Sequence, residues 1–134
     1  MKREKLYKDE NLLLEYIEEG KYLHETWWGH TPHEVFMKHL DLIIKILEEK
    51  EADGLLLDAC EHKGLEPKDQ RIAAKRISEY RHKHGRLKQA IIVPKNVFSK
   101  FSVENFGKII DEESKNEIKY FTNTQEAESW LKEK

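Results

Sequence analysis

Apolar residues in this chain fall into two kinds of stretch: short runs bounded by turn-forming residues, and longer segments repeating at helical spacing. Leu6-Tyr7 is compatible with a short edge strand. Asn11 to Ile17 is apolar and extended, Glu19-Gly20 has turn chemistry, and Tyr22 to Trp28 returns, which predicts a β-hairpin. Phe36, Leu40, Ile43, Ile44 and Leu47 then share one helical face, widened by Val35, Leu42 and Ile46. Ahead of them, Thr31-Pro32-His33-Glu34 reads as a capping box with proline at the first helical position. The Thr31 hydroxyl would accept from the Glu34 amide, and the Glu34 carboxylate would reach back to the Thr31 amide.

After Asp53-Gly54, the run Leu55-Leu56-Leu57 ends at Asp58. A short run without alternation suits a strand covered on both faces, central and parallel. Pro67 opens a second helix with Ile72, Ala73, Ile77 and Tyr80 on its narrower face, and Gly85 ends it. Ala90-Ile91-Ile92-Val93 is a further buried strand, stopped by Pro94. Ser102 caps a third helix carrying Val103, Phe106, Ile109 and Ile110. Ile118 to Phe121 is the last strand, and Asn123 with Glu126 caps a final helix that packs Ala127, Trp130 and Leu131. From the third strand onward strands and helices alternate strictly, which implies right-handed crossovers and parallel strands. The expected fold class is α/β: a mixed, mostly parallel sheet with an N-terminal hairpin and about four helices.

Length and composition change this picture little. The 134 residues suit a single domain, 1–134, able to bury about two thirds of its unfolded surface without a disulfide or structural metal. Cys60 stands alone, so no internal disulfide is available, and a lone thiol suits a reducing compartment. The charged start Met1-Lys2-Arg3-Glu4-Lys5 leads into no signal-like apolar stretch. The densest apolar run, Leu42 to Leu47, is interrupted by Lys45, which argues against membrane insertion. The expected location is cytoplasmic. Net charge is −2, but basic residues crowd Lys68 to Lys88 and acidic ones Asp41 to Glu61, which predicts one basic and one acidic flank.

Several local motifs fit a known pattern. Trp27-Trp28-Gly29 closes the hairpin, Leu55-Leu56-Leu57-Asp58 is a strand ending in Asp, and Ile91-Ile92-Val93-Pro94 is a strand ending in Val-Pro. Tyr120-Phe121 precedes a capped helix with Ala127-Glu128-Ser129-Trp130-Leu131. This arrangement, over nearly the whole chain, resembles the SpoIIAA-like proteins, a bacterial group related to STAS domains and sharing a fold class with CRAL-TRIO lipid carriers. Many members have no assigned function. The resemblance implies a regulatory or interaction role. In STAS antagonists the phosphorylated Ser or Thr lies where the loop after the Asp-ended strand enters the next helix, at free amides and the positive helix end. Here the loop from Cys60 to Gln70 contains no Ser, Thr or Tyr, and Glu66 precedes the helix proline. The phosphoswitch is therefore expected to be absent.

Ligands of parallel α/β sheets bind beyond the carboxyl ends of the strands. That places His30, Thr31, Asp58, Cys60, Lys95, Asn96 and Asn123 as candidate ligand-binding residues, although Thr31, Asp58 and Asn123 also suit simple capping and turn roles. Tyr22, Trp27 and Trp28 are candidate interface residues. Neighbouring tryptophans on a strand face opposite ways, so one should face the helices and the other could anchor a homodimer. Seven histidines come without an HExxH or paired CxxC, so no metal site or cofactor is expected. Cys60 beside Asp58 and Glu61 lacks the surroundings of a reactive thiolate. The basic helix lacks interleaved aromatics, which disfavours nucleic acid. The sequence therefore points to a non-catalytic regulatory or protein-interaction module with an unidentified partner, the alternative being a binder of a lipid-like or anionic small ligand.

Overall fold

In the computed structural model, residues 2–94 and 117–133 are described. They form β1 (Arg3–Lys8), β2 (Leu12–Ile17), β3 (Tyr22–Gly29), α1 (His33–Lys50), β4 (Gly54–His62), α2 (Pro67–His84), β5 (Lys88–Ile92), β6 (Glu117–Phe121) and α3 (Thr124–Lys132). The six strands make one sheet in strictly sequential order, β1 to β6. β1–β2 and β2–β3 pair antiparallel; β3–β4, β4–β5 and β5–β6 pair parallel. The mixed sheet and its N-terminal hairpin are as the apolar pattern predicts. Three helices lie among the described residues; the helix expected from Ser102 to Ile110 falls outside them. No helix of the described residues is long and apolar enough to cross a membrane.

Local chemistry sets the turns. Between β1 and β2, Asp9 Oδ1 accepts the amides of Asn11 (2.8 Å) and Leu12 (2.9 Å). Its Oδ2 accepts from Tyr7 (2.5 Å) and meets His39 Nε2 of α1 at 2.7 Å. The β2–β3 turn closes with the Lys21 amide on the Glu18 carbonyl (3.2 Å) and Lys21 in the left-handed region at φ 51°. α2 stops at Gly85, whose φ of 104° suits a residue without a side chain and whose amide caps the Arg81 carbonyl at 2.7 Å.

Topology decides which helix covers which face. Each right-handed crossover advances the sheet in the same direction, so α1 and α2 land on the same side. Leu12, Leu14, Tyr16, Leu23 and Leu55 from the strands meet Phe36, Leu40, Ile43, Leu47, Ile77 and Tyr80 from those helices in the main core. α3 follows the last strand and packs on the opposite face, where Ala127 and Leu131 meet Ile17, Tyr22, Leu56, Ala90, Ile92 and Phe121. Gly54 permits this approach, since a side chain there would stand 3.1 Å from Leu131. On the same face Tyr22 donates to Glu128 of α3, and Arg3 bonds Glu128 (2.5 Å), Glu15 (3.4 Å) and His24 Nδ1 (2.9 Å).

Two local expectations need correction. The capping box does not form: α1 begins at His33 behind Pro32, without a side-chain cap. Thr31 is buried and its hydroxyl lies instead 3.1 Å from His62 Nε2. β4 also runs past Asp58 to His62, because β3 continues to Gly29 and pairs with it: Trp28 aligns with Glu61 and Gly29 with His62. The α3 cap is as expected, with Asn123 Oδ1 accepting from the Glu126 amide at 3.1 Å.

Candidate functional site

Alternation along β3 sends Leu23, Glu25 and Trp27 to one face and Tyr22 and His24 to the other. The first face is the one covered by α1 and α2, so Glu25 projects into an apolar layer. It is 6% exposed. Its neighbours across the sheet are Leu57 on β4, opposite it in register, and Ile91 beyond on β5.

The layer is not filled around this carboxyl. A cavity of about 310 Å³ lies between the sheet and the two helices, a size at the lower end of the range for small-molecule sites. Its floor is Glu25, Trp27, Leu55, Leu57 and Ile91. Phe36, Leu40 and Ile43 of α1 and Ala73 and Ile77 of α2 form the walls. Toward the carboxyl ends of the strands it is bordered by Cys60, His62, Leu65 and Pro94.

Glu25 has a defined partner. Trp27, two residues on and therefore on the same face, donates from Nε1 to Glu25 Oε1 at 3.0 Å. Burial pushes the carboxyl up to about 7, against the smaller opposing effect of the Trp27 hydrogen bond. Near neutral pH the group is therefore poised between acid and carboxylate. Trp27 is held in turn by edge contacts with His39 and His62, whose ring centroids lie 5.4 and 5.7 Å away, and by Phe36 at 5.9 Å.

A bulge in β4 brings His62 to this place. Thr26 aligns with Asp58 and Trp28 with Glu61, so β4 carries one residue more than β3 across this step. Asp58 stabilises the kink, its Oδ1 accepting the Cys60 amide at 3.1 Å. The extra residue resets the alternation: Leu56 packs against α3, whereas His62, also even-numbered, stands at the cavity. His62 Nδ1 accepts the Gly64 amide at 3.0 Å. Its proton therefore sits on Nε2, which donates to Thr31 Oγ1. Burial, with a contribution from His30, holds the imidazole below its ordinary value and hence neutral.

The residues marked in the sequence disperse over several roles. Trp27 and Cys60 line the cavity, and Thr31 touches it through His62. His30 is exposed, Asp58 shapes the bulge, and Asn123 caps α3 on the other side of the sheet. Lys95 and Asn96 lie outside the described residues. Tyr22 is fully buried against the α3 side and Trp27 against α1, so neither presents an anchor to a second copy; Trp28 is half-buried. Cys60 is pushed up to about 11, by burial first and by Asp58 and Glu61 beside it. Among the described residues no three His, Cys, Asp or Glu side chains converge in a way that could hold a metal ion.

Glu25 and Gln89, two polar residues on the cavity face of the sheet, are absent from the sequence reading. The signal for Glu25 was present: it stands between Leu23 and Trp27 at alternating positions, on the apolar face.

No protein-family model matches this sequence, and no curated protein matches it. Solved structures do. An uncharacterized DUF3478-family protein with a SpoIIAA-like fold, from Shewanella loihica PV-4, aligns over 98% of this chain and 96% of its own, at 20% identity and a TM-score of 0.58. A chain from the complex of the diguanylate cyclase SiaD with its activator SiaC, from Pseudomonas aeruginosa, aligns over 87% of this chain and 98% of its own, at 13% identity and a TM-score of 0.56. The chain described here has the SpoIIAA-like fold.

Proposed function

We propose that this protein is a non-catalytic regulatory module whose input is a small, largely apolar ligand held between the sheet and α1/α2. The observation that carries this reading is Glu25: an ionisable group buried in a ready-formed apolar cavity, with a single indole donor. A carboxyl in such a place destabilises the fold relative to an apolar residue of similar size. Buried, strongly shifted groups cluster at functional sites, and apolar pockets with a few polar groups are the usual setting of small-molecule binding.

Two features argue against hydrolytic or thiol chemistry. Thr31 and His62 form a hydroxyl–imidazole pair, but the proton on His62 Nε2 makes Thr31 the acceptor, the reverse of what an activated nucleophile requires. Cys60 keeps its proton far above neutral pH. A regulatory output is supported by the Pseudomonas complex, in which one partner is an activator. The link from β4 to α2, Lys63-Gly64-Leu65-Glu66, offers no hydroxyl, so occupancy of the cavity takes the place of phosphorylation as the signal.

The test is a fragment screen read by thermal shift and by the Trp27 indole N–H resonance. Binders should raise the melting temperature and move that resonance; a ligand at about 100 times its Kd adds about 2.7 kcal/mol. Ala73→Phe, which fills the cavity from the α2 wall, should abolish both effects while leaving the protein folded. Binders that act equally on Ala73→Phe and leave the Trp27 resonance unmoved would place the ligand elsewhere and overturn the reading.

A further inference from the structure

We infer that the cavity selects a ligand whose polar end is a cation: an apolar primary amine, its ammonium group seated on Glu25 and its hydrocarbon body among Leu40, Ile43, Leu55 and Ile77. This rests on the cavity being a ligand site and names the class of molecule it takes.

The charge inventory of the site is one-sided. No Lys or Arg lines the cavity among the described residues. α1 presents Phe36, Leu40 and Ile43; α2 presents Gln70, Ala73 and Ile77; β5 presents Gln89 and Ile91; none of these titrates. From β4 the titratable groups are Cys60, which keeps its proton, and His62, which is neutral. Behind Trp27, His39 is turned to Asp9 rather than to the cavity. Among the described residues Glu25 is thus the group here that can carry a charge at neutral pH, and that charge is negative. An anionic ligand, one of the alternatives the sequence left open, would meet no countercharge among them.

The geometry around the carboxyl suits an ammonium group. The indole N–H engages Oε1 and leaves Oε2 without a donor among the described residues. A primary ammonium has three donors and can satisfy that oxygen. The rings of Trp27 and Phe36 line the cavity beside it, and aromatic faces attract cations most strongly where water is excluded. Burying an ion pair normally carries two desolvation penalties. Here the carboxyl is already buried when the protein folds, so binding adds only the penalty of the amine. The arriving cation takes the place of the proton: Glu25 in its acid form releases H⁺ to solvent, and the ammonium–carboxylate pair remains.

Matched analogues test this on the intact protein. Calorimetry would compare phenethylamine, phenethyl alcohol and hydrocinnamate, and in parallel hexylamine, hexanol and hexanoate. At least one amine is expected to bind about tenfold or more tighter than its alcohol, as charged hydrogen bonds exceed neutral ones, with the acids weakest. Repeating the titration in buffers of different ionisation enthalpy should show about half a proton released per amine bound near pH 7, since the group is then about half protonated. Glu25→Gln should bring amine and alcohol to similar affinity. Alcohols or acids binding as well as the amines, at the site reported by the Trp27 resonance, would overturn the cation assignment and leave the cavity reading intact. Failure of both series to bind would overturn the two together.

Discussion

Replacing Glu25 by Gln should change how the stability of this protein depends on pH, in a direction opposite to that of most carboxyls. Burial raises the group from its ordinary 4.5 to about 7 in the folded chain. Between those values the native state keeps a proton that the unfolded chain has released. Stability therefore falls as pH rises through this window and levels off above about 7. A pK unit corresponds to about 1.4 kcal/mol, so the whole effect is about 3 kcal/mol. Gln has nearly the same shape, can keep a carbonyl toward the Trp27 indole, and does not titrate. The difference in unfolding free energy between Glu25→Gln and the parent should thus move by about 3 kcal/mol in favour of the variant from pH about 4 to about 8. Urea denaturation followed by tryptophan fluorescence across this range measures it. Other titrating groups are common to both proteins and cancel in the comparison. If the two stability profiles run parallel, Glu25 is not buried in an apolar cavity as described, and the ligand argument falls with it.

Three further outcomes follow from single contacts. Tyr80→Phe should cost about 1–3 kcal/mol in denaturant unfolding, because the buried hydroxyl lies 3.0 Å from the Leu47 carbonyl and 2.7 Å from that of Ala52, where α1 ends. Gly85→Ala should destabilise by about 1 kcal/mol through backbone conformation alone: φ is 104°, and an added methyl would meet no atom within 4 Å. Alkylation of Cys60 by iodoacetamide should be slow at neutral pH and keep accelerating into alkaline solution, since the thiol titrates at about 11; a rate that plateaus near neutrality would contradict the buried, acid-flanked setting.

Much of the architecture can be read from apolar spacing. The hairpin and the three later strands show as short apolar runs between turn residues, the faces of α1, α2 and α3 show as helical periodicity, and Gly85, Pro67 and Asn123 mark helix ends through backbone chemistry that needs no tertiary context. The site is harder to read, for three physical reasons. Thr31 satisfies every local rule for a cap, yet a tertiary partner, His62, takes its hydroxyl. The bulge after Asp58 depends on what β3 does next to it, so the side chains beyond it cannot be assigned a face from β4 alone. Glu25 lies on an apolar face but is the kind of residue usually assigned to solvent, and only the gap left by α1 and α2 shows that it has room to act. The same topology bears on the strand-end rim. Ligand crevices above an open sheet form where strand order reverses, and here the order does not reverse among the described strands.

That monotonic order also bears on how the chain reaches this structure. Up to β5, each new strand has only to find the one completed just before it, with a turn or a single helix between them. Loop-closure entropy stays modest at each of these steps, and no early strand waits with an open edge for a distant partner. Assembly can keep pace with synthesis from the N-terminus, and the compartment around Glu25 can close once β5 has docked.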